Sequence, residues 1–333
     1  MKRFNCDNKA FLFYNPKKFK ESACGSVYHM IHLYLVIILR IDRREFFMNY
    51  LLALIPAIGW GIMPLITGKI GGSTINQMFG IGAGATIVGL VAFIIGHPTV
   101  TTTGFWFSVL CGALWTIGQI GQFVSFKRMG VSNTIPLSTV FQLVGNSLIG
   151  VIIFGEWRGA RALTIGFIAL AIVIIGALMT SVSDESTGKK ITVQNFFFLL
   201  ITTIGYWVYS AFPKMPMVAN DSSLGIFLPE MLGILLGSVI YAICSGNIDS
   251  FKQKEQYLNI WGGISWGIAA LAYIFAGRAL GINTAFVFTQ MNVIIATIGG
   301  ILVLHEHKTR REMSFTIAGI IFIVAGSILT IFA

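Results

Sequence analysis

From residue 48 to its end the chain is a succession of apolar stretches of about twenty residues, parted by short polar turns. That feature leaves few folds open. A stretch of this length crosses the roughly 30 Å of bilayer hydrocarbon as a helix, which satisfies its own backbone hydrogen bonds where no water can. Ten such segments follow Met48, near 50–66, 77–95, 104–126, 132–154, 162–180, 195–212, 223–243, 258–277, 283–304 and 313–332. The loops between them are short, and no length is left for a soluble domain. Hydrophobic residues make up 55% and charged residues 11%, with a mean hydropathy of +0.80, far from the balance of soluble proteins. An all-α integral membrane protein is expected.

Charge and cysteine usage narrow the function classes. The isoelectric point near 9.6 does not point to nucleic acid, because the basic residues are spread over loops between spans, where topology explains them. Loops after the odd-numbered spans carry Lys69, Lys127, Arg128, Lys189, Lys190, Lys252, Lys254, Lys308, Arg310 and Arg311, whereas those after the even-numbered spans carry Arg158, Arg161, Lys214 and Arg278. Basic loops stay cytoplasmic, so both ends of the ten-span chain are expected outside a cell membrane. Cys6, Cys24, Cys111 and Cys244 have no paired spacing and suggest neither a disulfide framework nor a metal site. His305 and His307 flank Glu306 in a basic loop without further ligands. No nucleophile elbow, phosphate loop or metal cluster occurs, so an enzyme, a metal site and a cofactor are not expected.

Residues 1–47 differ in character. They hold nine of the 23 basic residues, and their apolar run, Val27 to Leu39, is too short to span. Arg40, Asp42, Arg43 and Arg44 follow it where a signal peptide would have small residues. Arg43, Arg44 and Glu45 are encodable by a purine-rich run resembling a ribosome-binding site. Translation is therefore expected to start at Met48, leaving 1–47 as a non-native or disordered extension.

The stretch from Gly112 to Trp157 places amides where hydrocarbon is expected. Trp115, Gln119, Gln122 and Phe126 recur at helical spacing and share one face; on the next span Ser138, Gln142 and Gly145 do the same, with Asn146 beside them. An uncharged amide without a partner in hydrocarbon costs several kcal/mol, roughly, so these faces turn into the bundle or a wet cavity. Two amide faces beside an aromatic plate suit a neutral, hydroxyl-rich solute. In the first span Trp60 lies between Pro56 and Pro64; prolines there make either an ordinary kink or a substrate-lining break. The glycines Gly80, Gly82 and Gly84 read as close helix packing rather than a dinucleotide loop, there being no strand before them.

An internal repeat sets the architecture. Trp115, Ile117, Lys127 and Gly130 match Trp266, Ile268, Arg278 and Gly281 at one offset; at one residue less, Asn133, Thr134, Gly150 and Glu156 match Asn283, Thr284, Gly300 and Glu306. The chain then reads as two five-span units, 48–180 and 195–333, joined by the polar loop 181–194. Five is odd, so the second unit is inverted relative to the first, with the solute site between them near the midplane. In the sixth span Gly205, Tyr206, Trp207, Tyr209 and Ser210 precede Pro213, echoing Gly59, Trp60 and Pro64; aromatics near a span end read first as interfacial anchors. In the ninth span Gln290 and Asn292 lie on different faces. The constant offset equates Asn292 with Gln142, the local pattern equates Gln290 with it, and Gln290 is taken as the site residue. Glu230, after Pro229 in the seventh span, is costly to ionise in hydrocarbon, so it is the candidate for proton coupling. Glu156 and Glu306 read as loop or helix-end charges.

The segments Ile58–Pro64, Gly112–Gln122, Gly130–Pro136, Ser138–Gly145 and Gly155–Trp157 resemble the glucose/ribose porter family of the drug/metabolite transporter superfamily. GVSNTIPLSTVFQLVG and FGEW are similar to its glucose branch, GYWVYSAFP and FLPEMLG to its ribose branch. The resemblance covers the chain from Met48 onward and implies ten-span bacterial importers, proton-coupled and working by alternating access. Where Glu230 stands, that family usually has glutamine. A neutral monosaccharide would stack on Trp115 or Trp60 and bond through its hydroxyls to Gln119, Gln122, Gln142, Asn146 or Gln290, because amides offer donors and acceptors without charge. The expected partners are thus a monosaccharide, protons and the lipid bilayer. A drug or metabolite exporter of the same fold would carry a larger apolar cavity with a committed charge. A membrane sensor or assembly factor would be expected to carry a soluble output domain.

Overall fold

The computed structural model describes residues 23–129, 131–180, 182, 192–303 and 309–333. Gly130, most of the 181–194 link and the His305–Glu306–His307 group lie outside the described residues. The chain divides into two compact units, Met1–Met48 and Asn49–Ala333. In the first, the described residues are helical and begin helix α1 (Ala23–Ile70). The second contains α2 (Thr74–Gly96), α3 (Thr102–Met129), α4 (Val131–Ile152), α5 (Ala160–Thr180), α6 (Val193–Ala211), α7 (Ser223–Cys244), the short α8 (Lys254–Leu258), α9 (Ile260–Leu280), α10 (Ile282–Thr289), α11 (Asn292–Val303) and α12 (Arg310–Leu329). No strand occurs among the described residues.

Nine helices among the described residues are long and apolar enough to cross a membrane, the first over Phe47–Ile70. The span expected at 132–154 is not among these nine: α4 lies there, and its apolar stretch, Leu137–Ile152, is shorter. At 1.5 Å per residue the 23 residues of α2 reach about 34 Å, enough for the hydrocarbon. Apolar side chains such as Ile95, Ile152, Val193 and Leu302 lie exposed. That arrangement suits lipid, which supplies no drive to hide them.

Packing is set by residues without side chains. α3 lies along α6 and α7, α2 along α7 and α9, α5 along α12, and α4 along α6. A Cβ on Gly84 would meet the Ile260 carbonyl and the Gly263 backbone; on Gly112 it would meet the Glu230 carbonyl. With no hydrophobic drive between helices in lipid, this backbone approach carries the association. Gly84→Leu is therefore expected to part α2 from α9 and abolish the monodisperse peak of detergent-solubilised protein in size-exclusion chromatography. Ile95→Leu, on an exposed position, should leave that peak in place; a normal peak for Gly84→Leu would show that α2 and α9 do not need this approach.

Side chains bond to backbone at each end of the bundle. At one end Asn76 donates to Gln256 Oε1 (2.9 Å) and the Ser250 carbonyl (3.3 Å), and Asn259 donates to the Gly71 carbonyl (3.0 Å). Ser73 and Asn76 also form a capping box at the start of α2, satisfying donors that a helix start leaves free. At the other end Arg278 donates to the carbonyls of Pro213 (2.9 Å), Asp221 (2.7 Å) and Val218 (3.2 Å), and the Asp221 carboxylate accepts from Thr101 N (2.7 Å) and Oγ1 (2.9 Å). Glu156 belongs to this second group. It accepts from the backbone N–H groups of Ile282 (2.7 Å) and Asn283 (2.9 Å), the first of α10, and from Lys214 Nζ (2.8 Å). Glu156, expected as a loop or helix-end charge, thus caps the N-terminus of another helix, where a carboxylate meets both the free N–H groups and the positive end of the helix dipole.

The span expected at 283–304 is interrupted. The N–H groups of Gln290, Met291, Val293 and Ile294 bond to carbonyls three residues back, at 3.1 to 3.2 Å, so a tighter turn separates α10 from α11. The Phe286 carbonyl is taken up by side chains instead, Thr289 Oγ1 at 2.6 Å and Gln290 Nε2 at 3.5 Å.

Candidate functional site

Aromatic side chains from α1, α3, α6 and α9 converge in the middle of the second unit. Trp115 and Trp266 lie 4.7 Å apart between ring centroids, Trp60 stacks on Trp266 at 6.3 Å and 28°, and Tyr206 and Tyr209 stand 6.0 and 6.2 Å from Trp115. Together they wall a cavity of about 180 Å³. That is below the roughly 300–1,000 Å³ of drug-sized sites, so the space suits a small solute. Met63, Ser210 and Phe286 complete the wall, and Gln119, Gln122, Gln142 and Asn292 supply its polar side. None of the lining residues carries a formal charge.

The amides form a directed network. Gln119 Nε2 donates to Gln122 Oε1 (3.2 Å), which also accepts from the Tyr206 hydroxyl (3.5 Å). Gln122 Nε2 and Gln142 Nε2 both donate to Ser138 Oγ, each at 3.1 Å. A carboxamide has two N–H donors and an oxygen with two acceptor positions. Gln119 and Gln142 therefore keep their oxygens free of protein partners, and each of the three glutamines keeps one N–H.

Of the residues singled out in the sequence, Trp60, Trp115, Gln119, Gln122 and Gln142 line the cavity. Asn146 and Gln290 stand elsewhere. Asn146 is fully buried in α4, its amide atoms without a hydrogen-bond partner. Gln290 turns back on its own helix, to Phe286 and Thr289, because the tight turn frees a carbonyl that needs a donor. Asn292, the first residue of α11, faces the cavity in its stead. Tyr206 and Tyr209, expected as interfacial anchors, are buried and line the cavity together with Ser210. The signal that could have identified them is spacing, since all three fall on one face of α6. Trp207 points another way and donates to the Phe141 carbonyl at 2.9 Å, its ring against Gly145. Glu230 lies fully buried on α7 beside the Cys111 thiol, within electrostatic reach of Arg278, Tyr209 and Tyr273. Among the described residues no cluster of His, Cys, Asp or Glu could hold a metal ion.

A bundle of apolar helices with its amides turned inward is a multi-pass membrane protein. Residues 51–333 match the family described as "Sugar transport protein", and the chain belongs to that family, whose members are transporters rather than enzymes. It is 45% identical over 281 residues to a "Putative sugar uptake protein" of Lactobacillus helveticus, covering 84% of this chain and 99% of that one. It is 40% identical over 288 residues to a "Putative ribose uptake protein RbsU" of Latilactobacillus sakei, covering 84% and 97%. A solved crystal structure at 14% identity shares the fold, with a TM-score of 0.65 over 84% of this chain and 95% of that one.

Proposed function

We propose that the protein takes up a neutral monosaccharide, glucose or ribose, across the bacterial cytoplasmic membrane by alternating access, coupled to protons. The observation that carries this reading is the pairing of repeat-matched residues around one uncharged cavity. Trp115 and Trp266, equated by the sequence repeat, face each other across 4.7 Å. Trp60 and Tyr209, each four residues before the matched Pro64 and Pro213, both line the cavity, as do Gln142 and Asn292, equated at the second offset. Helix packing obeys the same exchange: α3 on α7 is mirrored by α9 on α2, and α5 meets its counterpart α12. Two inverted five-span units, 48–180 and 195–333, account for all of these, with the site on the axis between them.

Chemistry supports the solute class. A sugar ring offers an apolar face to the indoles and a rim of hydroxyls, each both donor and acceptor, to amides that are likewise both. The names of the relatives at 45% and 40% identity agree with a sugar. For coupling, Glu230 is a fully buried carboxyl beside the Cys111 thiol and within electrostatic reach of Tyr209, a wall residue of the cavity. The distribution of loop charges supports both termini outside, and with them the Glu156, Asp221 and Arg278 network.

The test is uptake of labelled glucose and ribose by cells lacking their own sugar transporters and expressing the chain from Met48, with and without a protonophore. Concentrative uptake abolished by the protonophore is expected. Downhill uptake that persists would remove proton coupling, and exclusion of both sugars despite confirmed insertion would remove the sugar assignment.

A further inference from the structure

We infer that Ser138, which does not itself line the cavity, is the positioning residue that holds the Gln122 and Gln142 amides where they meet the solute. The inference rests on the monosaccharide reading above. Ser138 is fully buried on α4, and its oxygen accepts from Gln122 Nε2 on α3 and from Gln142 Nε2 one turn along α4, both at 3.1 Å. A serine hydroxyl offers two acceptor positions and one donor, so it can hold both amides at once.

The consequence is directional. With its N–H held by Ser138, Gln142 is left with its oxygen free of protein partners. Gln122 is held the same way round, and its oxygen is occupied by Gln119 and Tyr206. Ser138 is thus a common anchor for two cavity amides carried by two helices, and fixes where each stands against a solute hydroxyl. Such placement matters most for discrimination, since a hydroxyl that misses its amide leaves both unpaired. The oxygen is shared between helices, so no single-helix rotamer preference could supply the same restraint.

The experiment compares initial uptake rates of labelled glucose and ribose and their mono-deoxy analogues for wild type, Ser138→Ala, Ser138→Cys and Ser138→Thr, normalised to protein in the membrane. Alanine and cysteine, which remove or weaken the acceptor, are expected to raise KM about tenfold, the size of two ordinary hydrogen bonds lost. The maximal rate should stay within about twofold, and the preference for the sugar over its deoxy analogue should fall by a similar tenfold. Threonine keeps the oxygen and should restore both. Wild-type KM and preference in the alanine and cysteine variants would overturn the inference while leaving the sugar reading intact. So would a fall in maximal rate alone, or loss of both proteins from the membrane, each of which makes Ser138 merely structural. Failure of wild type to carry either sugar would remove the sugar reading, and this inference with it.

Discussion

Gln142→Ala is expected to lose most sugar uptake, by more than about tenfold, while the protein still reaches the membrane in normal amount. Gln142 is half-buried, lines the cavity, and makes its one protein hydrogen bond to Ser138. Its oxygen and second N–H are thus committed to nothing else. Truncation removes an acceptor and a donor at once and puts a methyl against a hydroxyl that has already left water. An unpaired polar group in such a place costs about 1–3 kcal/mol, which corresponds to roughly a tenfold to hundredfold loss. Folding should be little affected, because Ser138 keeps the bond from Gln122 and the vacated space opens to the cavity. Gln142→Asn, one methylene shorter, should fall between. Normal uptake by Gln142→Ala would take the residue out of the site.

The second large effect is expected at Glu156, far from the cavity amides. Its carboxylate holds two backbone N–H groups of α10 and the Lys214 ammonium, and its side chain is only 11% exposed. The loop that carries it is held in an uncommon shape: Gly155, Trp157 and Gly159 all have positive φ, at 61°, 55° and 88°. For tryptophan that conformation is costly, by about 1–3 kcal/mol, and persists where surrounding structure imposes it. Here the indole packs on Gly166 and Phe167. Glu156→Ala would leave a helix N-terminus and an ammonium without their partner, a loss of roughly 3 kcal/mol. The detergent-solubilised variant should melt well below wild type. Glu156→Gln keeps an acceptor oxygen but not the charge and should melt between the two. Because α10 runs from this cap to the tight turn at Gln290 and carries Phe286 into the cavity wall, loosening the cap should also slow uptake. A wild-type melting curve for Glu156→Ala would show that the cap contributes nothing to the fold.

Membrane character and the positions of the spans follow from hydropathy alone, because hydrocarbon tolerates only segments that satisfy their own backbone. The inward faces of α3 and α4 were legible for the same reason: Gln119, Gln122 and Gln142 are too polar to meet lipid, and helical spacing puts them together. Trp115 and Trp266 could be paired by the repeat, although only the fold brings their rings to 4.7 Å.

Other assignments turn on local geometry that no periodicity contains. Tyr206 and Tyr209 suit an interface or a cavity equally well by composition, and it is the packing of α6 on α3 that turns them inward. Gln290 and Asn292 are separated by a turn of three-residue hydrogen bonds, which consumes the glutamine amide on a freed carbonyl and leaves the asparagine to face the cavity. Asn146 shares a helix with Gln142 but lies one turn on, where the bundle closes over it. Sequence by itself thus determined the solvent in which this protein folds and the faces that must avoid it, because those are properties of single helices. Tertiary structure alone decided which polar groups meet in the cavity, because that depends on where one helix crosses another and on which backbone carbonyls a tightened turn sets free.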